Sequence, residues 1–345
     1  MAEEKKKKGL SLFLRIILAL ILILVILVGF IFFYVKGKLD KIQKVELPTD
    51  EELGITETVS QNLTGYRNIA IFGVDSRSDD YGVGNRSDCI IIASINNDTG
   101  AIKLISVYRD TYVKIDGHGL DKITHAYSYG EAPLAIKTLN TNLDLNINEF
   151  VTVNFDSVAE AVDQLGGVQL TITADEIKYI NGYINETSKV TGKTSQHITE
   201  PGTYTVDGVQ DVAYSRIRYT DGGDYKRTER MRTVIEAMFS KLKTKSLAEI
   251  NSFADAILPH VYTNISATDI ISMVPSMSKY KVTESIGWPY DTKGKTMDRW
   301  YGIPITLESN VTQLHKEAFG EEDYVPSDTV KTISQSIINK TGYTK

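Results

Sequence analysis

FVTVNFDSVAEAVDQLGGVQLTIT, residues 150–173, changes its hydrophobic period twice within a short span. FVTVNF (150–155) has the β-branched and aromatic composition of a strand. DSVAEAVDQLGG (156–167) takes up helical spacing. Asp156 or Ser157 can cap its start, Glu160 stands three residues after Ser157 as in a capping box, and Gly166 lies where a helix ends. VQLTIT (168–173) returns to strand alternation. Strand, helix and strand in succession argue a layered α/β domain rather than a sandwich or a bundle.

The flanking sequence extends the pattern. NIAIFGV (68–74), DCIIIASIN (88–96) and AIKLISVY (101–108) are apolar strands, the last two joined by NDTG, which predicts an antiparallel pair. EAPLAIKTLNTNL (131–143) and ERMRTVIEAMFSKLKTKS (229–246) have helical spacing, as do segments near 267–278 and 327–338. RWYGIPITL (299–307) reads as a strand, and the polar stretch 178–196 as an excursion from the sheet.

At the N-terminus, IILALILILVILVGFIFFYV (16–35) has the length and apolarity of a membrane-crossing helix. Lys5 to Lys8 and Arg15 flank it, which places residues 1–15 in the cytoplasm and the bulk of the chain across the bilayer. No small-residue cleavage site follows, so the segment reads as a retained anchor rather than a signal peptide. Residues 36–66 are polar and read as a stalk or an ordered lead-in to a domain spanning 67–345.

The 345-residue chain has a net charge of −6, which argues against nucleic acid as a partner. Cys89 is the only cysteine, so neither an intrachain disulfide nor a Cys-rich zinc site can form. Against this acidic background, YSRIRYTDGGDYKRTERMR (214–232) is locally basic. If 216–218 is extended, Arg216 and Arg218 share a face; Gly222 and Gly223 then break the strand, and Asp224 can cap a helix whose opening turns carry Arg227 and Arg230. Cations at a helix start are unfavourable unless an anion lies among them. Pairing with Asp221, Asp224 and Glu229 would absorb only part of the charge. Arg232 falls off that face and reads as solvated. Arg86 shares the 75–88 loop with several carboxylates, and Arg109 directly follows the strand 101–108.

Asp75 follows the strand 68–74, and Asp88 opens the next one. Two carboxylates on adjacent strand ends suit Mg²⁺ completed by water and phosphate, whereas Asp75, Asp79 and Asp80 can equally be turn formers in a polar loop. Carboxylates and arginines together point to a metal-assisted phosphate site.

The segments NIAIFGVDSR, NRSDCIIIASIN, ISVYRDTYVKIDGHG, KITHAYSYG, LGGV and AYSRIRYTDGGDYKRTERMR resemble, in order and spacing, the LytR–CpsA–Psr proteins of bacterial cell envelopes. The match is specific over about 68–234 and weaker over 247–345. The resemblance implies an α-β-α sandwich with a mixed central sheet and a hydrophobic tunnel for a polyprenyl tail. It implies a phosphotransferase that moves an anionic glycopolymer, such as teichoic acid or capsule, from an undecaprenyl-pyrophosphate carrier to peptidoglycan, releasing polyprenyl phosphate. By motif position, Asp75 and Asp88 would hold Mg²⁺. Arg86, Arg109, Arg216, Arg218, Arg227 and Arg230 would contact the pyrophosphate, with Arg109, Arg218 and Asp224 serving catalysis. Asp224 and Asp110 are both candidates for the base. His125 in KITHAY reads as architectural. Many family members carry Gln where this chain has Met231. A polyprenyl-pyrophosphate hydrolase and a non-catalytic lipid-binding or regulatory protein are the competing readings; the fifteen residues before the anchor are too short for a DNA-binding fold.

Overall fold

The computed structural model describes residues 43–76, 81–266, 269 and 272–344. The anchor segment 16–35, Asp79 and Asp80 lie outside the described residues. Among the described residues no helix is long and apolar enough to cross a membrane.

The strands are β1 (Gln43–Lys44), β2 (Tyr66–Val74), β3 (Ser87–Asn96), β4 (Ala101–Val107), β5 (Tyr112–Ile115), β6 (Gly119–Lys122), β7 (Glu149–Val153), β8 (Val168–Ile172), β9 (Gly202–Val206), β10 (Tyr262–Thr263), β11 (Lys281–Trp288), β12 (Thr292–Thr296) and β13 (Trp300–Pro304). Seven form a mixed sheet in the order β1-β10-β7-β2-β3-β4-β11. β2 pairs antiparallel with β3 and parallel with β7, and β4 pairs antiparallel with β3 and parallel with β11. The predicted β3–β4 turn is present. Asn96 Oδ1 accepts from the backbone of Asp98 and Thr99, and Gly100 takes the left-handed conformation (φ 73°) that a side chain disfavours.

Alternation along β3 makes the molecule layered. Ile90 and Ile92 enter the core shared with helices Thr124–Leu143, Leu307–Phe319 and Asp328–Thr341. Ile91, Ala93 and Ile95 face the opposite way, toward Met231, Ile235 and Phe239 of helix Gly223–Leu242. Period-two residues thus bury both faces of one strand. The lead-in is ordered: Leu53, Val59 and Leu63 enter the first core, and β1 extends the sheet edge.

Three local expectations need correction. Helix Phe155–Gln164 is capped by Asn154, not by Asp156 or Ser157. Asn154 Oδ1 accepts from Ser157 N at 2.8 Å, and the Ser157 hydroxyl accepts from Asn154 N at 3.0 Å. Glu160 instead pairs with Lys193 at 2.8 Å. The polar stretch after β8 is helix Ala174–Thr191, opened by a Thr173–Glu176 capping box and seated through Ile180 and Ile184. Residues 208–216 are also helical, with an Asp207–Gln210 capping box, so Arg216 ends a helix and does not share a strand face with Arg218. Among the described residues β8 pairs only with β9, across the 174–191 helix, as a separate two-stranded antiparallel sheet packed on these helices.

Asp211, in helix Gly208–Arg216, is fully buried, and neither carboxylate oxygen has a hydrogen-bond partner among the described residues. Burial, and then the charges of Asp163 and Asp207, raise its pKa well above the usual carboxylate range. A raised native pKa carries no penalty below the unfolded value of about 4 and costs stability as pH rises past it. Asp211→Asn is therefore expected to raise the melting temperature at pH 7 and to bring a smaller gain at pH 4; thermal unfolding at both pH values checks this, and a pH-independent difference would contradict it.

Candidate active site: an arginine cluster at the mouth of an apolar cavity

The site begins with a break in pairing. Gly73 faces Cys89 and Val74 faces Ser87, which leaves Asp88 as the extra residue of a β-bulge. Bulges re-aim side chains, and here Asp88 and Cys89 line the same cavity. Gly73 is required opposite the bulge, because a Cβ there would stand 2.8 Å from Cys89 Cβ.

Around Asp88 the fold gathers three arginines from three places. Arg109, just past β4, donates Nη1 to Asp88 Oδ1 at 2.6 Å. Arg218, between the 208–216 and 223–242 helices, donates Nη2 to Oδ2 at 3.2 Å. Arg227, in the first turns of the 223–242 helix, places Nη1 3.8 Å from Oδ2 and donates Nη2 to the Asp88 carbonyl at 3.3 Å. Asp224 joins them: its Oδ1 is 2.8 Å from Arg227 Nη2 and 3.9 Å from Arg109 Nε. It sits within the first turn of a helix capped by Gly222 and is not itself the cap. Asp110 is held by Lys122 at 2.7 Å and lies 3.7 Å from Arg109 Nε.

Three guanidinium groups and Lys122 therefore share three carboxylates, which leaves one positive charge in surplus. Arg227 is 2% exposed, and its Nε finds no hydrogen-bond partner among the described residues. Burial and the neighbouring charges of Arg218 and Arg109 hold its pKa below the ordinary arginine value, against the pull of Asp224 and Asp88. For Arg109 burial also opposes the charge, but Asp88, Asp224 and Asp110 outweigh it and raise the pKa. Both side chains remain charged. A surplus buried cation with an unused donor is the arrangement an incoming anion completes.

Behind the cluster lies a cavity of about 370 Å³. Ile71 and Gly73 of β2, Val151 and Val153 of β7, Val158 and Ala161 of the 155–164 helix, Met231, Val234 and Met238 of the 223–242 helix, and Phe253 and Ile257 of helix Leu247–Ile257 line it. Asp88 is the acid on its wall. Met231 faces this apolar space. Cys89 also lines it; burial above all pushes its thiol up to about 12, so it serves as neutral wall.

The remaining sequence-predicted residues make no ion pair or hydrogen bond with Asp88 among the described residues. Arg216 lies over the rings of Phe155 and Tyr183, at 5.3 and 5.4 Å, and bonds Thr187 Oγ1 at 3.2 Å. Arg230 is buried and spends its donors on Glu176, the Ile217 carbonyl and Thr220. Arg232, expected to be solvated, is 8% exposed, with Nε and Nη1 unpartnered among the described residues. Arg86 and Asp75 are exposed and form no ion pair among the described residues. His125 pairs with Asp121 at 2.8 Å.

Among the described residues no cluster of three His, Cys, Asp or Glu could hold a metal by itself. The donors nevertheless suit Mg²⁺. Asp75 follows the strand position paired with Ser87, next to the Asp88 bulge, and Asp88 Oδ2 makes only the longer of that residue's carboxylate contacts. Mg²⁺ takes one or two carboxylates and completes its shell with water and phosphate.

The family model described as LytR_cpsA_psr family matches residues 30–314. The chain belongs to the LytR–CpsA–Psr family. The polyisoprenyl-teichoic acid–peptidoglycan teichoic acid transferase TagT of Bacillus subtilis is 32% identical over 66% of this chain and 69% of its own length. A solved structure of TagT bound to LIIa-WTA superposes with a TM-score of 0.56 at 25% identity, covering 81% of this chain and 92% of the other. The fold is shared as well with a family protein, YwtF (TagT), solved with bound octaprenyl pyrophosphate lipid: TM-score 0.52, 24% identity, and the same coverage of both chains.

Inorganic pyrophosphate is expected to raise the melting temperature of this protein in magnesium buffer, by the equivalent of about 2.7 kcal/mol at a hundredfold excess over its dissociation constant. Arg109→Gln should lose most of that shift. Equal shifts from pyrophosphate and from chloride of matched ionic strength would contradict a built anion site.

Proposed function

We propose that this protein is an extracytoplasmic phosphotransferase, anchored in the cell membrane by residues 16–35 with its N-terminus in the cytoplasm. It would transfer an anionic glycopolymer from an undecaprenyl-pyrophosphate-linked precursor to peptidoglycan. The observation that carries this reading is the continuity of two opposite environments: an apolar cavity of about 370 Å³ that ends on Asp88, and Asp88 held by Arg109, Arg218 and Arg227. A polyprenyl tail suits the first and a pyrophosphate the second, and no water-soluble phosphate ester needs both.

Phosphoryl transfer needs in-line positioning and charge neutralisation more than covalent help from the protein. Arg109, Arg218 and Arg227 would bind the pyrophosphate oxygens and stabilise the charge that builds on the leaving phosphate. The acceptor hydroxyl forms the new oxygen–phosphorus bond as the bond to the bridging oxygen breaks, and polyprenyl phosphate departs. Asp224 is the better-placed base. Its Oδ1 is held by Arg227, and its Oδ2 accepts no hydrogen bond among the described residues, whereas Asp110 is tied to Lys122. Mg²⁺ held by Asp75 and Asp88 would neutralise further pyrophosphate charge.

Purified protein given a polyprenyl-pyrophosphate-linked glycopolymer should release polyprenyl phosphate in step with attachment to added peptidoglycan glycan. Release at the same rate without acceptor would instead identify a hydrolase. Arg218→Ala, at a side chain 42% exposed, should keep the fold and lower the transfer rate by about 10²–10³-fold.

A further inference from the structure

The arginine cluster is bordered by two hollows with no lining residue in common. One is the apolar cavity, which reaches the cluster at Asp88. The other reaches it at Asp224 and Asp110, and is walled by Tyr108, Tyr225 and Trp300. Arg109 stands between them, 2.6 Å from Asp88 and 3.9 Å from Asp224.

We infer that the open face of Trp300, at the rim of this second hollow, is the saccharide platform for the acceptor: a sugar ring stacks on it from outside, and the hollow, of about 30 Å³, admits only its nucleophilic hydroxyl toward Asp224. The inference rests on the transferase reading and adds where the acceptor binds. An in-line displacement places the attacking oxygen opposite the leaving oxygen. With the polyprenyl phosphate leaving toward the apolar cavity, the hydroxyl approaches from the side of Asp224.

The chemistry of the rim suits a pyranose. Trp300 is 44% exposed and Tyr225 40%, both large aromatic surfaces left open to solvent beside carboxylates. A sugar offers an apolar C–H face to such rings and hydroxyl donors to the carboxylate oxygens. The platform is built rather than incidental. The Trp300 indole lies against Gly294 across the β12–β13 hairpin, where a Cβ would come within 2.8 Å of its Nε1. The backbone of Gly302 donates to Asp110 O at 3.0 Å, which fixes the hairpin to the chain beside Arg109. Tyr225 packs edge-on to Tyr108, with centroids 4.4 Å apart.

The test uses the full chain in detergent and a peptidoglycan tetrasaccharide of alternating N-acetylglucosamine and N-acetylmuramic acid. Of the two tryptophans, Trp288 is fully buried, so a saturable change in tryptophan emission on titration reports Trp300. Trp300→Ala should abolish that response and raise the acceptor KM by about ten-fold, while Trp300→Phe restores most of the acceptor affinity. The donor KM should stay within about two-fold. A wild-type protein that binds the tetrasaccharide but transfers nothing would overturn the transferase reading and leave the subsite standing. An unchanged acceptor KM in Trp300→Ala would overturn the subsite, as would a shift in the donor KM alone, which would assign the platform to the donor's glycan.

Discussion

Asp88 carries one negative charge, and three guanidinium groups are organised around it. Arg109 comes from the end of β4, Arg218 from an interhelical turn and Arg227 from a buried helix start, so a single carboxylate joins three separate parts of the chain. It reaches them because the β2–β3 ladder slips by one residue at that point, turning Asp88 toward the cavity. Burying Arg227 at 2% exposure is tolerable only with Asp88 and Asp224 beside it. The same crowding leaves positive charge in surplus, which is what an anionic ligand meets.

The arrangement separates two kinds of solvation within a few ångströms. The cavity wall on one side is aliphatic and sulfur-bearing, from Val153 to Met238. On the other side the cluster opens through Asp224 toward solvent. A lipid-linked pyrophosphate is divided along the same line, apolar at one end and charged at its reactive centre. On the proposed reading, the geometry would bind a carrier lipid by its chemical contrast, with the reacting phosphorus held where the contrast is sharpest.

Much of the fold was legible because its strands obey simple rules. NIAIFGV, DCIIIASIN and AIKLISVY alternate or run apolar between clear turn signals, and they form β2, β3 and β4 nearly to the residue. The arginines near strand ends and the Asp88 position were legible as motif chemistry. Arg216 was less so: alternation with Arg218 mimics a strand, but the Asp207–Gln210 capping box starts a helix that carries Arg216 to Phe155 and Tyr183. Arg230 shares helical spacing with Arg227, yet its partner Glu176 comes from a helix whose polar composition hid it. Arg232 is buried, contrary to its solvated reading, because that side of the helix meets the sheet. Trp300, far from the motifs in sequence, had no local signal; only the β12–β13 hairpin brings it beside Asp224.

The central claim is that one ligand spans the cavity and the arginine cluster together. The most direct measurement is a crystal structure of the protein with a forty-carbon polyprenyl pyrophosphate and Mg²⁺. The tail is expected between Val153 and Met238, with phosphate oxygens within hydrogen-bonding distance of Arg109, Arg218 and Arg227. A pyrophosphate bound away from Asp88, or a tail lying outside the cavity, would contradict it.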